Sequence, residues 1–470
     1  MTGDGHHESS GGAVPVGNGP MRLVRAAWRT GPLADRNFRL LGAGQLTSTI
    51  GDMCYAVALP WLILSTHGGV IRLGTVLACY GVARAVFAPV GGMLADKVGP
   101  RVVMLSADAG RCVIVAGLAL LATRRLDTLA LLLPIAALIG AGEGLFLPAS
   151  YSIIPTLLAP ESLDAGNALS EATVQAGSLA GPVLGGLLVA TAGSAPAFAV
   201  DAASFAISAL SLALIGVRRS PAPAAEAQPT GAQAVEAAPA DPDTQQPAAT
   251  EQPGRSPTLW SLLRTSRALQ MMLLVGIVSN LAFGGTFDVA LPTLAHAHFG
   301  ASGYGALIAC AAAGAVAGNL AAAKGRSFGR PMIIASGVVL VESAAICVVP
   351  FMGGLPGAAA AILVFGACNG FVNIVMLTLI QKWAPSQMLG RIMSLFALVS
   401  VGIFPASVAA AGFLVHQVGT TPFFPIAGIL LAVTVLFALT QRELRGLGAS
   451  SQASADPSGE FEVISADLGL

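Results

Sequence analysis

The sequence predicts an all-α polytopic membrane protein of twelve transmembrane helices arranged as two six-helix halves. Three observations carry this expectation. Of 470 residues, 54% are hydrophobic and only 10% charged, and the mean hydropathy is +0.75, whereas a soluble domain carries about a quarter charged residues. Apolar runs long enough to cross a bilayer core of roughly 30 Å, which takes about 20 residues, recur twelve times. Finally, the basic residues gather on alternate connections, as cytoplasmic flanks do.

In chain order the runs cover about 38–65, 70–95, 101–122, 128–155, 166–191, 196–217, 268–293, 302–323, 331–350, 357–382, 391–416 and 421–440. The residues before them are rich in Gly, Ser and Arg and lack the apolar core of a cleavable signal peptide. Residues 1–37 are therefore expected to form a cytoplasmic tail, with the first span acting as its own insertion signal. The first half is 38–217. Within 218–267 the chain turns to Ala, Pro, Gln and Thr between Pro221 and Pro257, a composition that buries too little apolar surface to fold alone. That segment reads as a disordered cytoplasmic linker. The second half is 268–440, and 441–470 is a cytoplasmic tail.

Placing the amino terminus inside leaves nineteen of the 24 Lys and Arg on the inner side; Arg72, Arg124 and Arg125 fall outside, and Arg84 and Arg111 lie within spans. This asymmetry predicts a multi-pass protein of the cytoplasmic (inner cell) membrane with both termini in the cytoplasm. Trp61 and Trp383, at an outer and an inner helix end, fit interfacial anchoring. The halves also echo one another. Gly140-Ala-Gly-Glu143-Gly144 followed by Ala159-Pro160 parallels Gly366-Ala-Cys-Asn369-Gly370 followed by Ala384-Pro385, which reads as an internal repeat.

Formal charge is balanced, 24 basic against 24 acidic residues, and offers no basic footprint for nucleic acid. The six cysteines sit within apolar runs without paired spacing and read as packing residues. No phosphate-cradling G-x-x-x-x-G-K-[ST] loop and no H-E-x-x-H occurs. The expectation is no catalytic residue, no metal and no bound cofactor. His296 and His298, near an outer helix end, read as hydrated loop residues.

Gly92-Met-Leu-Ala-Asp96-Lys97-Val-Gly99-Pro-Arg101 places a charged, glycine-punctuated turn between two apolar runs. It resembles the G-x-L-a-D-r-x-G-x-r loop of major facilitator superfamily transporters. In the fifth span, Gly177-Ser-Leu-Ala-Gly181-Pro182-Val-Leu-Gly185-Gly186 resembles the G-x-x-x-G-P-x-x-G-G pattern of that family's proton-coupled exporters. Glycines four apart allow close helix contact and Pro182 permits a bend; small residues that merely pack are the plainer reading. The run from Gly142 to Leu212 is similar to the branch that holds the enterobactin exporter and related drug antiporters. The chain departs from the family in two places. The repeat of the loop motif after span eight, Gly318 to Arg326, has lost its acid, and span four has no Arg.

An ionised group at mid-membrane costs about 2.5–3.5 kcal/mol on insertion scales and needs a partner, water or a function. The resemblance implies that spans 1, 4, 7 and 10 line a central cavity. On that basis Asp52 and Glu143 are the leading proton-coupling candidates, and Arg84 is either their switchable partner or half of a fixed pair. Asp288 lies nearer the outer end of its span and reads as a solvated rim residue rather than a coupling one. Asn369 and Asn373 either present amides to the cavity or bond between helices. Asp108 and Arg111, three apart on one helix face, read as a structural ion pair. Asp201 and Glu342, on peripheral spans, read as packing or pairing groups.

The resemblance implies a monomeric secondary transporter with the major facilitator fold, driven by the proton gradient, exporting a small hydrophobic or amphipathic molecule such as a drug, siderophore or secondary metabolite. A nutrient symporter, a lipid flippase, and a membrane enzyme or non-transporting sensor are the alternatives. It also implies that Asp96 meets the amino-terminal end of span eleven and acts as a conformational latch.

Overall fold

A computed structural model describes residues 31–65, 69–124, 128–216, 263–264, 266–324, 330–384 and 388–441. Its long helices are α1 (Arg36–Ser65), α2 (Gly69–Val98), α3 (Pro100–Thr123), α4 (Leu129–Leu157), α5 (Leu163–Ala192), α6 (Ser194–Leu214), α7 (Arg267–His298), α8 (Gly300–Lys324), α9 (Pro331–Val348), α10 (Leu355–Trp383), α11 (Leu389–Val418) and α12 (Thr420–Thr440). All twelve are long and apolar enough to span a bilayer, and no strand occurs among the described residues. The 218–267 linker and the two tails lie largely outside the described residues.

Several helices outrun their apolar runs, because hydropathy marks the hydrocarbon layer and a helix continues into the interface. Thus α2 reaches Val98 and α7 reaches His298, where hydropathy sets ends at 95 and 293. This corrects the reading of Gly92 to Arg101 as a turn. Gly92, Asp96 and Lys97 are helical, Arg101 lies in the first turn of α3, and the turn itself is Gly99, at φ 92. A side chain there would be strained, and Pro100 then supplies a preset φ at the first position of α3. Arg101 has a structural task of its own. Its Nε donates to the Leu212 carbonyl and its Nη2 to that of Ala213, both at 2.7 Å, which satisfies orphan acceptors at the end of α6.

Within each half the same pairs zip together. A Cβ on Gly140 of α4 would collide with the Tyr80 carbonyl of α2, and one on Gly144 would stand 2.5 Å from that of Arg84. In the second half, Gly366 and Gly370 of α10 meet the carbonyls of Ala311 and Ala315 on α8 in the same way. The sequence repeat is thus a repeat of backbone contact, close approach through small residues being what holds helices together in lipid.

The halves touch through α2 against α11 and α5 against α8. A Cβ on Gly74 would stand 2.7 Å from the Val408 carbonyl, and one on Gly186 would stand 2.9 Å from that of Ala301. The end of α7 also meets the end of α1, where the rings of Trp61 and His296 lie 4.7 Å apart at a tilt of 56°. These contacts gather on the face opposite the ends of α1 and α12 that carry the chain termini. On the terminal face Asp96 and Lys97 are exposed, and a Cβ on Gly390 at the start of α11 would meet nothing within 4 Å. The halves are shut on one face and parted on the other.

Candidate functional site

A cavity of about 430 Å³ lies between the halves. Its polar wall comes from the first half: Gln45, Ser48 and Asp52 on α1, Tyr80 and Arg84 on α2, Arg111 on α3, Glu143 on α4 and Asp201 on α6. The second half contributes Asp288 on α7 and Phe404 on α11.

The α2–α4 zipper sets the first cluster. Because the backbones meet at Gly140 and Gly144, the side chains of Tyr80 and Arg84 are carried alongside Glu143. The Tyr80 hydroxyl donates to Glu143 Oε2, and Arg84 Nη2 lies 3.3 Å from Oε1. In this conformation Arg84 is paired with Glu143, a contact common to both readings open for it.

The second cluster centres on Arg111. Its Nη2 lies 2.5 Å from Asp108 Oδ1, and both side chains are buried, at 3% and 0% exposure. Ser208 Oγ donates to Asp108 Oδ2 at 2.6 Å. The guanidinium is sandwiched between the rings of Phe146, at 4.7 Å, and Phe205, at 4.3 Å. Its Nη1 reaches to 4.0 Å from Asp52 Oδ1, the Asp52 side chain being 42% exposed. The Asp108–Arg111 pair therefore also serves the cavity.

Two sequence expectations need correction, those for Asp288 and His296. Asp288 is a cavity residue and not a rim residue. It lies in a π-helical turn, Gly285–Ala290, in the interior of α7, and hydropathy placed the helix end too close to it. Asp201 packs against the neighbouring helix α1, one of the roles expected of it, and also borders the cavity. The missing side chain at Gly51 opens α1, so that a Cβ there would stand 2.7 Å from Asp201 Oδ1. Gly142 gives Arg111 the same passage past α4, with a would-be Cβ 2.8 Å from its Cγ. Of the candidate amides, Asn369 bonds between helices, donating to Glu342 Oε1 at 3.1 Å, and Asn373 is exposed; neither lines this cavity. His296 is no loop residue: it packs on Trp61 and its Nε2 lies 3.5 Å from Ser65 Oγ, across the two halves.

The remaining motif residues lie outside the cavity wall. Gly177, Gly181 and Gly185 press α5 onto α1 at Thr49, Ile50 and Cys54, whereas Pro182 and Gly186 press it onto α8. The motif is a two-sided seam, one side within a half and the other between halves. Among the described residues Asp96 has no ion pair, its expected partner helix being on the parted side. No three His, Cys, Asp or Glu among the described residues converge to hold a metal ion.

Two helical halves meeting around a charged cavity, shut on one face, define a multi-pass membrane protein of the two-half transporter class. The chain belongs to the Major Facilitator Superfamily, whose family profile matches residues 41–406. It is similar to the multidrug efflux pump Tap of Mycobacterium tuberculosis, 24% identical over 422 residues that cover 87% of this chain and 94% of Tap. It is also similar to the enterobactin exporter EntS of Shigella boydii, 28% identical over 424 residues, 87% of this chain and 92% of EntS. Its fold is shared with a crystal structure of a POT family transporter in complex with 5-aminolevulinic acid, at a TM-score of 0.65 and 13% identity, covering 86% of this chain and 96% of that one.

Proposed function

We propose that this chain is a monomeric, proton-coupled exporter of a small amphipathic molecule, working in the cytoplasmic membrane with both termini inside and with the proton gradient, not a bound cofactor, as its energy source. The carrying observation is the Glu143 carboxylate held by Arg84 at 3.3 Å and by the Tyr80 hydroxyl, on a cavity wall shared with Asp52. With the termini inside, the parted face is cytoplasmic and the conformation is inward-open. A molecule entering from the cytoplasm reaches carboxylates that water reaches too, and it competes there with their protons. Rocking the halves shuts this side, opens the other, and exposes the same carboxylates to the more acidic exterior, where a proton replaces the cargo. Similarity to Tap and EntS supports the outward direction.

The test is transport in inverted vesicles carrying the full-length protein. The expected result is uptake of substrate into the vesicle lumen, driven by an acidic lumen and lost in Asp52→Asn and Glu143→Gln variants that insert normally. Full gradient-driven transport by both variants overturns the coupling assignment, and flux in the opposite sense makes the protein an importer.

A further inference from the structure

Arg84 is incompletely matched where it stands. Its Nη2 lies 3.3 Å from Glu143 Oε1, while its Nε is buried without a hydrogen-bond partner. An orphaned donor on a buried cation is costly, so this seat holds Arg84 less firmly than a fully bonded one would. A second acid stands opposite, in the other half. Asp288, half-buried, lines the same cavity and has no ion pair among the described residues. The π-helical turn that carries it, Gly285–Ala290, packs directly on α2, the helix of Arg84. The two side chains lie within electrostatic reach of each other. Single π turns inside α-helices are frequent at functional sites.

The neighbours of the two acids differ. Glu143 is faced by Tyr80 and Arg84 from α2, by Asp52 from α1, and by Arg111, with Asp108 behind it, from α3. Asp288 is faced by Arg84 from α2 and by Tyr304 from α8, whose hydroxyl donates to the Phe287 carbonyl at 3.5 Å. From α11 and α12 the π-helical turn meets Ala411 and Phe423, neither of them ionisable. Among these described neighbours of Asp288, Arg84 is the one cation.

We propose that Arg84 changes partners across the halves, from Glu143 to Asp288, when Glu143 takes up a proton, and that the Arg84–Asp288 pair then helps to hold the exterior face shut. This deepens the export reading and rests on it for the direction of the cycle, although the switch itself is measured without transport. A proton from the acidic exterior binds the Glu143 carboxylate and removes its charge, which leaves Asp288 as the stronger attraction for the guanidinium. The new pair ties α2 of the first half to α7 of the second and biases the two-state equilibrium toward closure on that side. When the proton leaves for cytoplasmic water, Glu143 reclaims Arg84 and Asp288 is released, the arrangement of this structure. Asp288 acts through Arg84 and is a positioning residue.

The experiment is double electron–electron resonance on the full-length protein in detergent, its native cysteines replaced by alanine. Spin labels go on cysteines placed at Ala192, at the end of α5, and Met352, before α10, both exposed on the shut face and in opposite halves. Acidification from about pH 8 to about pH 5 is expected to raise the ratio of the short, shut distance to the long one by about threefold or more. Glu143→Gln, which mimics the protonated acid, is expected to give the short distance throughout. Asp288→Asn is expected to abolish the response to pH, and Asp288→Glu, which keeps the charge, to restore it. A folded Asp288→Asn that follows the parent's pH profile, or a Glu143→Gln that still responds to pH as the parent does, overturns the inference. If Asp288→Asn fails to fold, Glu143→Gln decides. A pH response that depends on Asp288, without gradient-driven flux in inverted vesicles, would instead reject the export reading and leave this one standing.

Discussion

Arg84 and Glu143 face each other at 3.3 Å across α2 and α4, and their side chains are 27% and 29% exposed. The pair is half in the cavity and half in the wall, so a single charge change is felt by fold and transport in different measure. Removing one partner of a buried pair costs about 3–5 kcal/mol and of an exposed one about 0–1. Arg84→Ala is therefore expected to destabilise by about 2 kcal/mol, and Arg84→Ala/Glu143→Gln to recover part of that loss. Thermal unfolding of the four members of this cycle in detergent measures it; strictly additive effects would mean the two side chains do not interact.

Asp108 and Asp52 both face Arg111, with opposite expected consequences. Asp108 is fully buried against the guanidinium, so Asp108→Ala strands a buried cation and should cost about 3–5 kcal/mol, seen as lost expression or a lower Tm. Asp52, whose side chain is 42% exposed, should tolerate Asn with less than about 1 kcal/mol of change while gradient-driven transport disappears. Equal stability losses in the two variants would contradict this division.

The seam between α5 and α8 leaves no room for a side chain. A Cβ on Gly186 would stand 3.1 Å from Gly305 Cα as well as 2.9 Å from the Ala301 carbonyl. Overpacking typically costs about 1–3 kcal/mol, here only in the conformation that shuts this face. Gly186→Val should thus favour the alternative state, detected as faster thiol labelling of a cysteine placed at Pro60, a cavity residue toward the shut face. Labelling at the parent rate would show that the seam does not govern closure.

Asp96 is exposed in this conformation, and a helix amino terminus favours a nearby carboxylate by about 0.3–1 kcal/mol. If it engages α11 only when the terminal face shuts, Asp96→Asn should slow turnover several-fold without weakening substrate binding to the conformation described above. A variant that binds less substrate with its fold intact would place Asp96 in ligand recognition instead.

The twelve helices were legible because an apolar run of membrane length has one stable fate in lipid. The residues that line the cavity were legible only where the helix itself faces inward, as with Asp52 and Glu143. Asp201 and Arg111 belong to helices one layer back, and they arrive through gaps at Gly51 and Gly142. The signal was present as two glycines, but a glycine in a membrane helix looks alike whether it admits a neighbouring backbone or a neighbouring charge. Asp288 was misplaced for another reason. Hydropathy ended its helix at 293 whereas α7 runs to His298, so the carboxylate stands deeper than the apolar run suggests. The π-helical turn around it has no signature in composition.

The zippers of α2 with α4 and of α8 with α10 are built from main chain against main chain. Such a joint has few rotamers to rearrange, so neither pair absorbs a displacement by repacking. Each behaves as a stiff beam where its glycines meet the facing backbone, with little room to repack there. Where Tyr80 and Arg84 ride on the first beam beside Glu143, Ala311 and Ala315 ride on the second beside Asn369. The first beam holds an ion pair, Arg84 with Glu143, beside its glycines, whereas the charges of its twin, Lys324 and Lys382, stand in the last turns of their helices.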